Sequence, residues 1–264
     1  MIDIHSHIIP LVDDGSQDMD ESVEMVRLSA DSGVKILVAT PHANQRGRFE
    51  NYYQRPIKEK FIALKQAVQE AGIDIRLLFG MEIYSSYEIP DLIANGLLSG
   101  LNCSDYYLVE FPFEADLGYM YYSIGQIFDA GGIPVIAHPE RYTHIQRSTG
   151  ILYDWIQEGV CVQVNKGSVF GSFGPAAKKA AEFIFAHELA TCVGSDAHGT
   201  EVRTTDMSQL RDYLLKNCGE EYTTKATRQN PLLLLKNQDV PAHGIQPHDL
   251  DTGNSGARRR RFLF

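Results

Sequence analysis

Histidine and carboxylate side chains follow the apolar segments of this 264-residue chain repeatedly. The first segment, residues 1–4, leads into His5 and His7, which are two positions apart. On an extended backbone, residues i and i+2 leave the same face, so the two imidazoles would stand side by side. Two adjacent imidazoles at the end of a strand can hold one metal ion, and this pair is the first indication of a metal site.

Further side chains of these types follow later apolar runs, and one lies in the first loop. The candidate metal ligands are His5, His7, Asp14, His42, Glu82, Glu110, His138, Asp196 and His198. A single histidine after a strand is usually structural, but this recurring pattern indicates a metal centre. Imidazole and carboxylate without thiolate fit Mn, Fe or Zn, and so many ligands suggest two or three ions. Glu82 and Glu110 are the expected bridging carboxylates.

Clustered cations of this kind would suit hydrolysis of a phosphate ester, with metal-bound hydroxide attacking the phosphorus. Such a site must also hold the non-bridging phosphate oxygens, which arginine binds bidentately. Arg141 and Arg203 follow His138 and His198 closely in the sequence. We expect both to be catalytic and substrate-binding residues at the same mouth; the alternative for each is a surface ion pair.

Motifs of several other protein classes do not occur. No cysteine is followed by arginine in a C-x5-R pattern, and neither G-x-x-x-x-G-K-[ST] nor G-x-S-x-G is present. The four cysteines include no C-x-x-C pair, which argues against a zinc knuckle or a thioredoxin-like site. A formal net charge of -10 argues against a general nucleic-acid binder.

The elements that must position the candidate ligands alternate between strand and helix. Seven apolar runs predict strands at 1–5, 35–40, 75–80, 106–109, 133–137, 161–164 and 190–193. Helical periodicity predicts helices near 18–32, 56–71, 119–130, 149–158, from 175 onward, and near 204–216. Continuous apolar strands indicate a parallel sheet buried on both faces, and polar residues at C-terminal strand ends are typical of α/β barrels. We therefore predict an α/β fold, a distorted (β/α)7 TIM-like barrel.

The last part of the chain differs in composition. We expect the barrel to occupy residues 1–240, and residues 241–264 to form a polar, Arg-rich tail that includes four arginines at 258–261. The favoured interpretation of this tail is a disordered end; the alternative is a basic and apolar patch for an anionic membrane or a partner. No transmembrane segment is expected, since no apolar run approaches about 20 residues, and no signal peptide is evident. A cytoplasmic location is therefore expected.

Several motifs together carry a resemblance to a known family. They are D-I-H-S-H at 3–7, D-D-G at 13–15, T-P-H at 40–42, G-M-E-I at 80–83, H-P-E-R-Y at 138–142 and S-D-A-H at 195–198. With these motifs the chain resembles the polymerase-and-histidinol-phosphatase (PHP) superfamily. More closely, it resembles the bacterial manganese-dependent protein tyrosine phosphatases of the CpsB, YwqE and Wzb type, from capsular and exopolysaccharide operons. The resemblance covers roughly residues 1–236, and D-x-H-S-H alone would indicate only the superfamily.

The resemblance implies the PHP fold, a trinuclear site that prefers Mn2+, and a protein tyrosine phosphatase. The implied substrate is the phosphorylated tyrosine-rich tail of a membrane-associated bacterial tyrosine autokinase, whose dephosphorylation regulates capsule or exopolysaccharide synthesis. By the family pattern, the first metal has His5, His7, Glu82 and Asp196; the second has His42, Glu110 and His138, with Glu82 bridging; the third has Asp14 and His198, with Glu110 bridging. Gly199 stands where the pattern has Asn, and it would loosen the loop that precedes Arg203.

Two other functions stay open. A small-molecule phosphoesterase of the same superfamily, such as a histidinol phosphatase, would use the same residues. A metal-binding regulatory module would dock on the kinase without hydrolysing anything. Comparing phosphate release from a phosphotyrosine peptide and from histidinol phosphate separates the two enzymes. A manganese-loaded protein that binds the kinase tail and releases no phosphate would identify the regulatory module.

Overall fold

Parallel strands form a ring in this computed structural model, which describes residues 1–247. The strands within this range are β1 Ile2–Ser6, β2 Ile36–Ala39, β3 His42–Ala43, β4 Arg76–Phe79, β5 Glu82–Tyr84, β6 Tyr106–Glu110, β7 Ile133–Ala137, β8 Cys161–Asn165 and β9 Cys192–Gly194. Every pair of adjacent strands is parallel, as expected from continuous apolar runs joined by helical crossovers.

Helices connect the strands and cover the outside of the ring. They are α1 Met19–Asp31, α2 Arg55–Glu70, α3 Ile89–Ala94, α4 Leu117–Asp129, α5 Thr143–Arg147, α6 Ile151–Gln157, α7 Pro175–Ala186, α8 Ser208–Thr224 and α9 Asn230–Leu235. The Asp18 side chain accepts a hydrogen bond from the Glu21 amide and begins α1, while Pro175 begins α7. The short helices α3, α5 and α9 were not among the predicted ones, because five or six residues show too little periodicity.

Two of the predicted strands are each followed, after a break, by a short strand that was not predicted. β3 follows β2 after Thr40 and Pro41, and β5 follows β4 after Gly80 and Met81. The proline has no N–H for a strand ladder, which accounts for the first break. As a result β1, β2 and β4 form one sheet, and β3 joins β5 through β9 in another. Seven strand positions remain, as predicted.

Contacts between β9 and β1 close the ring. The Asp196 amide donates to the His5 carbonyl at 2.9 Å, and the His7 amide donates to the Ala197 carbonyl at 2.9 Å. Ser6 and Ala197 also form an isolated parallel bridge. These bonds place the residues after β9 beside those at the end of β1. The prediction of a distorted (β/α)7 barrel is confirmed.

Apolar side chains fill both sides of the strands. Inside the barrel, Ile4, Val38, Leu108 and Val135 pack in one buried cluster, which Leu234 of α9 also joins. A second cluster joins the outer faces of the strands to the helices, with Trp155 of α6 fully buried in it. Because this packing fixes the strands, the side chains at their C-terminal ends are held in fixed relative positions.

The predicted division of the chain at residue 240 stays a prediction. The beginning of the predicted tail, residues 241–247, contacts the barrel: His243 Nδ1–H donates to the Glu188 carbonyl at 3.0 Å, and His243 Nε2 lies 2.8 Å from the Thr191 hydroxyl. The Ile245 amide donates to the His187 carbonyl at 2.7 Å. The four arginines at 258–261 lie outside the described residues.

Across residues 1–247, each helix is too short or too polar to cross a membrane.

Candidate metal centre

The C-terminal ends of the strands bring all nine predicted ligands to one place. His5 lies in β1, His42 in β3, Glu82 in β5 and Glu110 in β6; the remaining five lie in the loops that follow β1, β7 and β9. The cavity at this end has a volume of about 220 Å³, and the candidate ligands among its lining are Asp14, His42, Glu82, Glu110, His138, Asp196 and His198. His5 and His7 lie behind this lining and are fully buried.

The first ligand group consists of His5, His7, Glu82 and Asp196. The Nε2 atoms of His5 and His7 are 3.2 Å apart. Glu82 Oε2 lies 3.3 Å and 3.2 Å from these two nitrogens, and Asp196 Oδ1 lies 3.6 Å and 3.5 Å from them. Four potential donor atoms therefore surround one point in the interior.

Hydrogen bonds on the far sides of the two imidazoles fix their tautomers. His5 Nδ1–H donates to Gln163 Oε1 at 2.8 Å, and His7 Nδ1–H donates to Asp13 Oδ2 at 2.8 Å. With the proton on Nδ1, each neutral ring presents the Nε2 lone pair to the other ring. Burial opposes protonation of these two imidazoles, but the neighbouring carboxylates raise the pKa of both, so a proton on Nε2 and a cation compete for the same space. A cation there would satisfy both nitrogen lone pairs and both carboxylate oxygens. The donor set thus fits a metal ion.

The second ligand group consists of His42, Glu82, Glu110 and His138. Glu82 Oε1 accepts a hydrogen bond from His138 Nε2 at 2.8 Å, while Glu82 Oε2 lies 2.9 Å from His42 Nδ1. Glu110 lies 3.7 Å from His138 Nε2 and 3.9 Å from His42 Nδ1. Glu82 therefore contacts members of both groups, which is the geometry expected of a bridging carboxylate.

The third ligand group consists of His7, Asp14, His42 and His198, whose donor atoms lie within 4.8 Å of one another. Asp14 Oδ1 is 3.4 Å from His42 Nε2 and 3.5 Å from His198 Nε2. His42 thus faces the second group with Nδ1 and the third with Nε2. The resemblance placed Glu110, rather than His42, beside Asp14 and His198, so the assignment of ligands to individual metals stays a prediction.

The carboxylates of the centre shift one another's ionisation. Burial, followed by the neighbouring charges of Glu82 and Asp196, raises the pKa of Glu110 to about 9. For Glu82 and Asp196, burial opposes ionisation, but the surrounding histidines, with Arg203 beside Asp196, hold each pKa well below its usual range. The carboxyl groups are therefore crowded enough that Glu110 holds its proton at neutral pH, and a bound cation would allow it to ionise.

Two of the candidate ligands adopt the left-handed backbone conformation that favours glycine. His138 has a φ of 35° and Asp196 a φ of 50°. For residues with a side chain this conformation costs on the order of 1–3 kcal/mol. Six other residues share it, so by itself it does not mark a ligand; they are Leu11, Asn44, Asn102, Cys103, Glu188 and Asn237. At His138 and Asp196 it occurs in residues whose side chains line the cavity.

Both predicted arginines reach the cavity and contact Asp196. Arg141 Nη1 lies 3.3 Å from Asp196 Oδ2, and Arg203 Nη2 lies 2.5 Å from the same oxygen. The Arg141 guanidinium lies over the rings of both Phe113 and Phe173, with its Cζ 4.5 Å and 4.3 Å from the ring centroids. Arg203 therefore lies at the mouth although Gly199 replaces the expected Asn. Whether either arginine binds phosphate is taken up under the proposed function.

Comparisons with known proteins place this architecture in a family. The family model for capsular polysaccharide synthesis proteins of the CpsB/CapC type matches residues 1–236. The chain belongs to the CpsB/CapC family. It is 34% identical to tyrosine-protein phosphatase YwqE of Bacillus subtilis over 94% of this chain and 96% of the relative. It is also 30% identical to tyrosine-protein phosphatase CpsB of Streptococcus pneumoniae, over 90% and 99% respectively.

A solved structure agrees with this assignment to the CpsB/CapC family. It comes from work on the crystal structures of YwqE from Bacillus subtilis and CpsB from Streptococcus pneumoniae, described as unique metal-dependent tyrosine phosphatases. The TM-score is 0.86 at 33% sequence identity, and the match covers 94% of this chain and 99% of the other. The likeness therefore extends over nearly the whole chain.

Sequence reasoning missed several residues around the centre of this CpsB/CapC protein. Asp13 fixes the His7 tautomer, Gln163 fixes that of His5, and Phe173 stacks on Arg141. Arg48, at the rim, donates to Asp14 Oδ2 at 2.9 Å. Asp13 lies within the D-D-G motif that carried part of the family resemblance, so a search for polar partners of each ligand would have found it. Nothing in the local sequence singles out Arg48 or Phe173.

We expect divalent cations to stabilise this CpsB/CapC protein, because they would bind the folded centre, where Glu82 and Asp196 are ionised and close together, and not the unfolded chain. One Mn2+ ion at a free concentration 100 times its Kd would add about 2.7 kcal/mol. In a domain of this size that corresponds to a rise in Tm of roughly 5–10 °C. Differential scanning calorimetry of EDTA-treated protein with and without Mn2+ measures the shift. An unchanged Tm, with His42→Ala behaving like the wild type, would argue against a cation site.

Proposed function

We propose that this protein is a metal-dependent protein tyrosine phosphatase. The observation that carries the proposal is the convergence of nine histidine and carboxylate side chains on one cavity that two arginines also enter. Phosphate monoesters are dianions, and a mouth that combines cation ligands with guanidinium groups is suited to bind and hydrolyse them. The tyrosine phosphatase names of its CpsB and YwqE relatives support the choice of ester.

We propose that the centre holds two or three cations, with Mn2+ preferred and Fe or Zn as the alternatives. The proposed ligands are the nine side chains of the three ligand groups, with Glu82 and Glu110 as bridges. When bound, such cations supply an acidified water as nucleophile and neutralise charge on the ester. The mixed imidazole and carboxylate donors, without cysteine, support this choice of metals over softer ones.

Asp196 divides its two carboxylate oxygens between different tasks. Oδ1 faces the imidazoles of His5 and His7, whereas Oδ2 accepts from Arg141, Arg203 and Asn165. The residue can therefore hold a cation with one oxygen while the other keeps both guanidinium groups at the mouth. Each arginine retains further N–H groups that can bind the non-bridging oxygens of a phosphate.

The leaving group also fits a tyrosine ester. A tyrosine phenolate has an ordinary pKa of about 10, so it leaves far more readily than an alkoxide. Little proton donation to the leaving oxygen is therefore needed. Tyr84 and Phe113 line the cavity, and the Phe113 side chain is partly open to solvent at the rim. These rings offer an apolar wall to the aromatic ring of a phosphotyrosine.

We propose that the natural substrate is the phosphorylated tyrosine cluster in the tail of a membrane-associated bacterial tyrosine autokinase. Dephosphorylation there would regulate capsule or exopolysaccharide synthesis, in keeping with the family's description. The proposed location is the cytoplasm, where such a tail would be reached. A flexible peptide tail suits a cavity whose mouth is formed by exposed loops.

The proposal predicts manganese-dependent release of phosphate from a phosphotyrosine peptide. Metal-stripped protein reloaded with Mn2+, Fe2+ or Zn2+ is assayed on this peptide, on the matched phosphoserine peptide and on histidinol phosphate. We expect the highest kcat/KM for the phosphotyrosine peptide, because its phenolate is the best peptide leaving group. Preference for histidinol phosphate would identify a small-molecule phosphoesterase instead. Binding of a kinase tail without any release of phosphate would indicate the regulatory module.

A further inference from the structure

A chain of three hydrogen bonds joins His5 to Asp196 behind the first ligand group. His5 Nδ1–H donates to Gln163 Oε1 at 2.8 Å, Gln163 Nε2–H donates to Asn165 Oδ1 at 2.8 Å, and Asn165 Nδ2–H donates to Asp196 Oδ2 at 2.5 Å. We call this arrangement the amide chain. All four of its side chains are almost completely buried, so water does not compete for these bonds.

The direction of the amide chain is determined by the chemistry at its two ends. Asp196 can only accept, so Asn165 must turn its NH2 toward it and its oxygen toward Gln163. Gln163 must then donate to that oxygen and turn its own oxygen toward His5. His5 is left to donate from Nδ1, which frees the Nε2 lone pair for the first ligand group. One carboxylate thus sets the tautomer of an imidazole through two intervening amides.

Neighbouring residues hold the amide chain in position. The Asn165 backbone N–H donates to Glu140 Oε1 at 2.9 Å, and the Ser168 hydroxyl donates to the same oxygen at 2.6 Å. On the other side, β9 passes directly over the chain at Gly194. A Cβ there would lie 2.9 Å from Gln163 Nε2 and 2.6 Å from the His5 Cβ. Only glycine leaves room for β9 at this distance, so the amides are confined from both sides.

We propose that Gln163 and Asn165 are positioning residues that set the cation affinity of the first ligand group. They fix the tautomer of His5 and the orientation of Asp196, two candidate ligands that are far apart in the sequence. This inference rests on the proposed metal centre. Partners of this kind, one step removed from the ion, commonly change metal affinity by about 10- to 100-fold when removed.

The test compares Gln163→Leu, Gln163→Glu and Asn230→Leu with the wild type. Gln163→Leu removes both hydrogen bonds of the amide at nearly constant volume. Gln163→Glu restores an acceptor for His5 Nδ1–H but cannot donate to Asn165. Asn230→Leu is the matched control, because Asn230 is a buried amide whose bond goes to the Thr191 carbonyl, away from the centre.

Two measurements are made on metal-stripped protein. Mn2+ titration by calorimetry gives the affinity, and long-range 1H–15N NMR of the histidine rings, recorded at a pH high enough for the rings to be neutral, gives the tautomer of His5 before any metal is added. We expect Gln163→Leu to weaken the tightest Mn2+ site by about 10- to 100-fold and to lose the single Nδ1–H tautomer. Gln163→Glu should keep the tautomer and recover part of the affinity. Asn230→Leu should lower Tm only.

Each other outcome has a definite meaning. Wild-type Mn2+ affinity in a folded Gln163→Leu protein overturns the positioning role, as does a single Nδ1–H tautomer that persists in it. Equal losses in Gln163→Leu and Asn230→Leu also overturn it, since any buried amide would then have the same effect. A wild-type protein that takes up no Mn2+ contradicts the metal centre itself, and this is seen before any variant is compared.

Discussion

Replacing Glu82 by glutamine should abolish turnover and release at least one metal ion per chain. Glu82 lies at the middle of the centre: Oε2 is within 3.3 Å of nitrogens from His5, His7 and His42, and Oε1 accepts from His138. The substitution keeps the shape of the side chain and removes its charge. We expect kcat to fall by at least about 10³-fold, which exceeds the 10- to 100-fold loss typical of residues one step removed from a metal.

We expect Glu82→Gln to lose turnover and metal because no other carboxylate can take the place of Glu82 between the ligand groups. Burial disfavours the Glu82 charge, yet the histidines around it hold the pKa of this carboxyl well below its usual range. Glu110 is the nearest alternative bridge, but burial and the charges of Glu82 and Asp196 raise its pKa to about 9. In the variant the charge of Glu82 is gone, but burial and Asp196 still disfavour ionisation of Glu110. Glu110 is therefore a poor replacement for Glu82 as a bridging carboxylate.

Metal analysis and steady-state kinetics together test Glu82→Gln. The matched control is Glu88→Gln, since Glu88 lies shortly after β5, before α3, but pairs with Arg46 at the surface. Full metal content and wild-type kcat in Glu82→Gln would remove this residue from the centre. Loss of activity with full metal content would mean that Glu82 acts in hydrolysis but is not needed to hold the metal.

The barrel and the meeting of the nine side chains were predictable because both depend on local patterns. Apolar runs that end in His, Glu or Asp identify strands and their C-terminal ends, and parallel strands of a barrel present those ends on one face. His5 and His138 are far apart in the sequence, yet the fold rule alone brings them to one mouth. Their role as ligands stays a prediction.

The partners of the candidate ligands were less predictable, because they depend on side-chain contacts between distant segments. Gln163 contacts His5 across 158 positions, and Phe173 reaches Arg141 from the loop before α7. The left-handed turns at His138 and Asp196 also have no local sequence signal, since neither residue is glycine. Such features follow from the assembled barrel and not from the periodicity of any segment.

Replacing Arg141 by alanine should weaken phosphate-ester binding and leave the metal content unchanged. The guanidinium lies over the rings of both Phe113 and Phe173, which hold its plane in one orientation at the mouth. Loss of one such preorganised donor typically costs about 10²- to 10³-fold in rate, or roughly 2.7–4 kcal/mol. We expect a fall of this size in kcat/KM for the phosphotyrosine peptide, with weaker inhibition by inorganic phosphate.

Asp196 should retain its position in Arg141→Ala, because Arg203 and Asn165 still donate to Oδ2. Metal content is therefore the measurement that separates substrate binding from a structural role. Arg141→Lys keeps the charge but loses the planar fork and much of the stacking, so intermediate activity is expected. Arg147→Ala, on the exposed face of α5, is the control and should resemble the wild type.

The two arginines should not act independently, since both donate to Asp196 Oδ2. Arg203 also donates from Nε to the Asp196 carbonyl at 3.1 Å, so it supports the strained backbone that carries this ligand. Arg203→Ala should consequently lower metal affinity as well as ester affinity, unlike Arg141→Ala. A double-mutant cycle on kcat/KM should give a coupling energy of about 0.5–3 kcal/mol. Strictly additive effects in the double-mutant cycle would mean that the two guanidinium groups bind different parts of the substrate. Wild-type kinetics in Arg141→Ala alone would exclude Arg141 from the site.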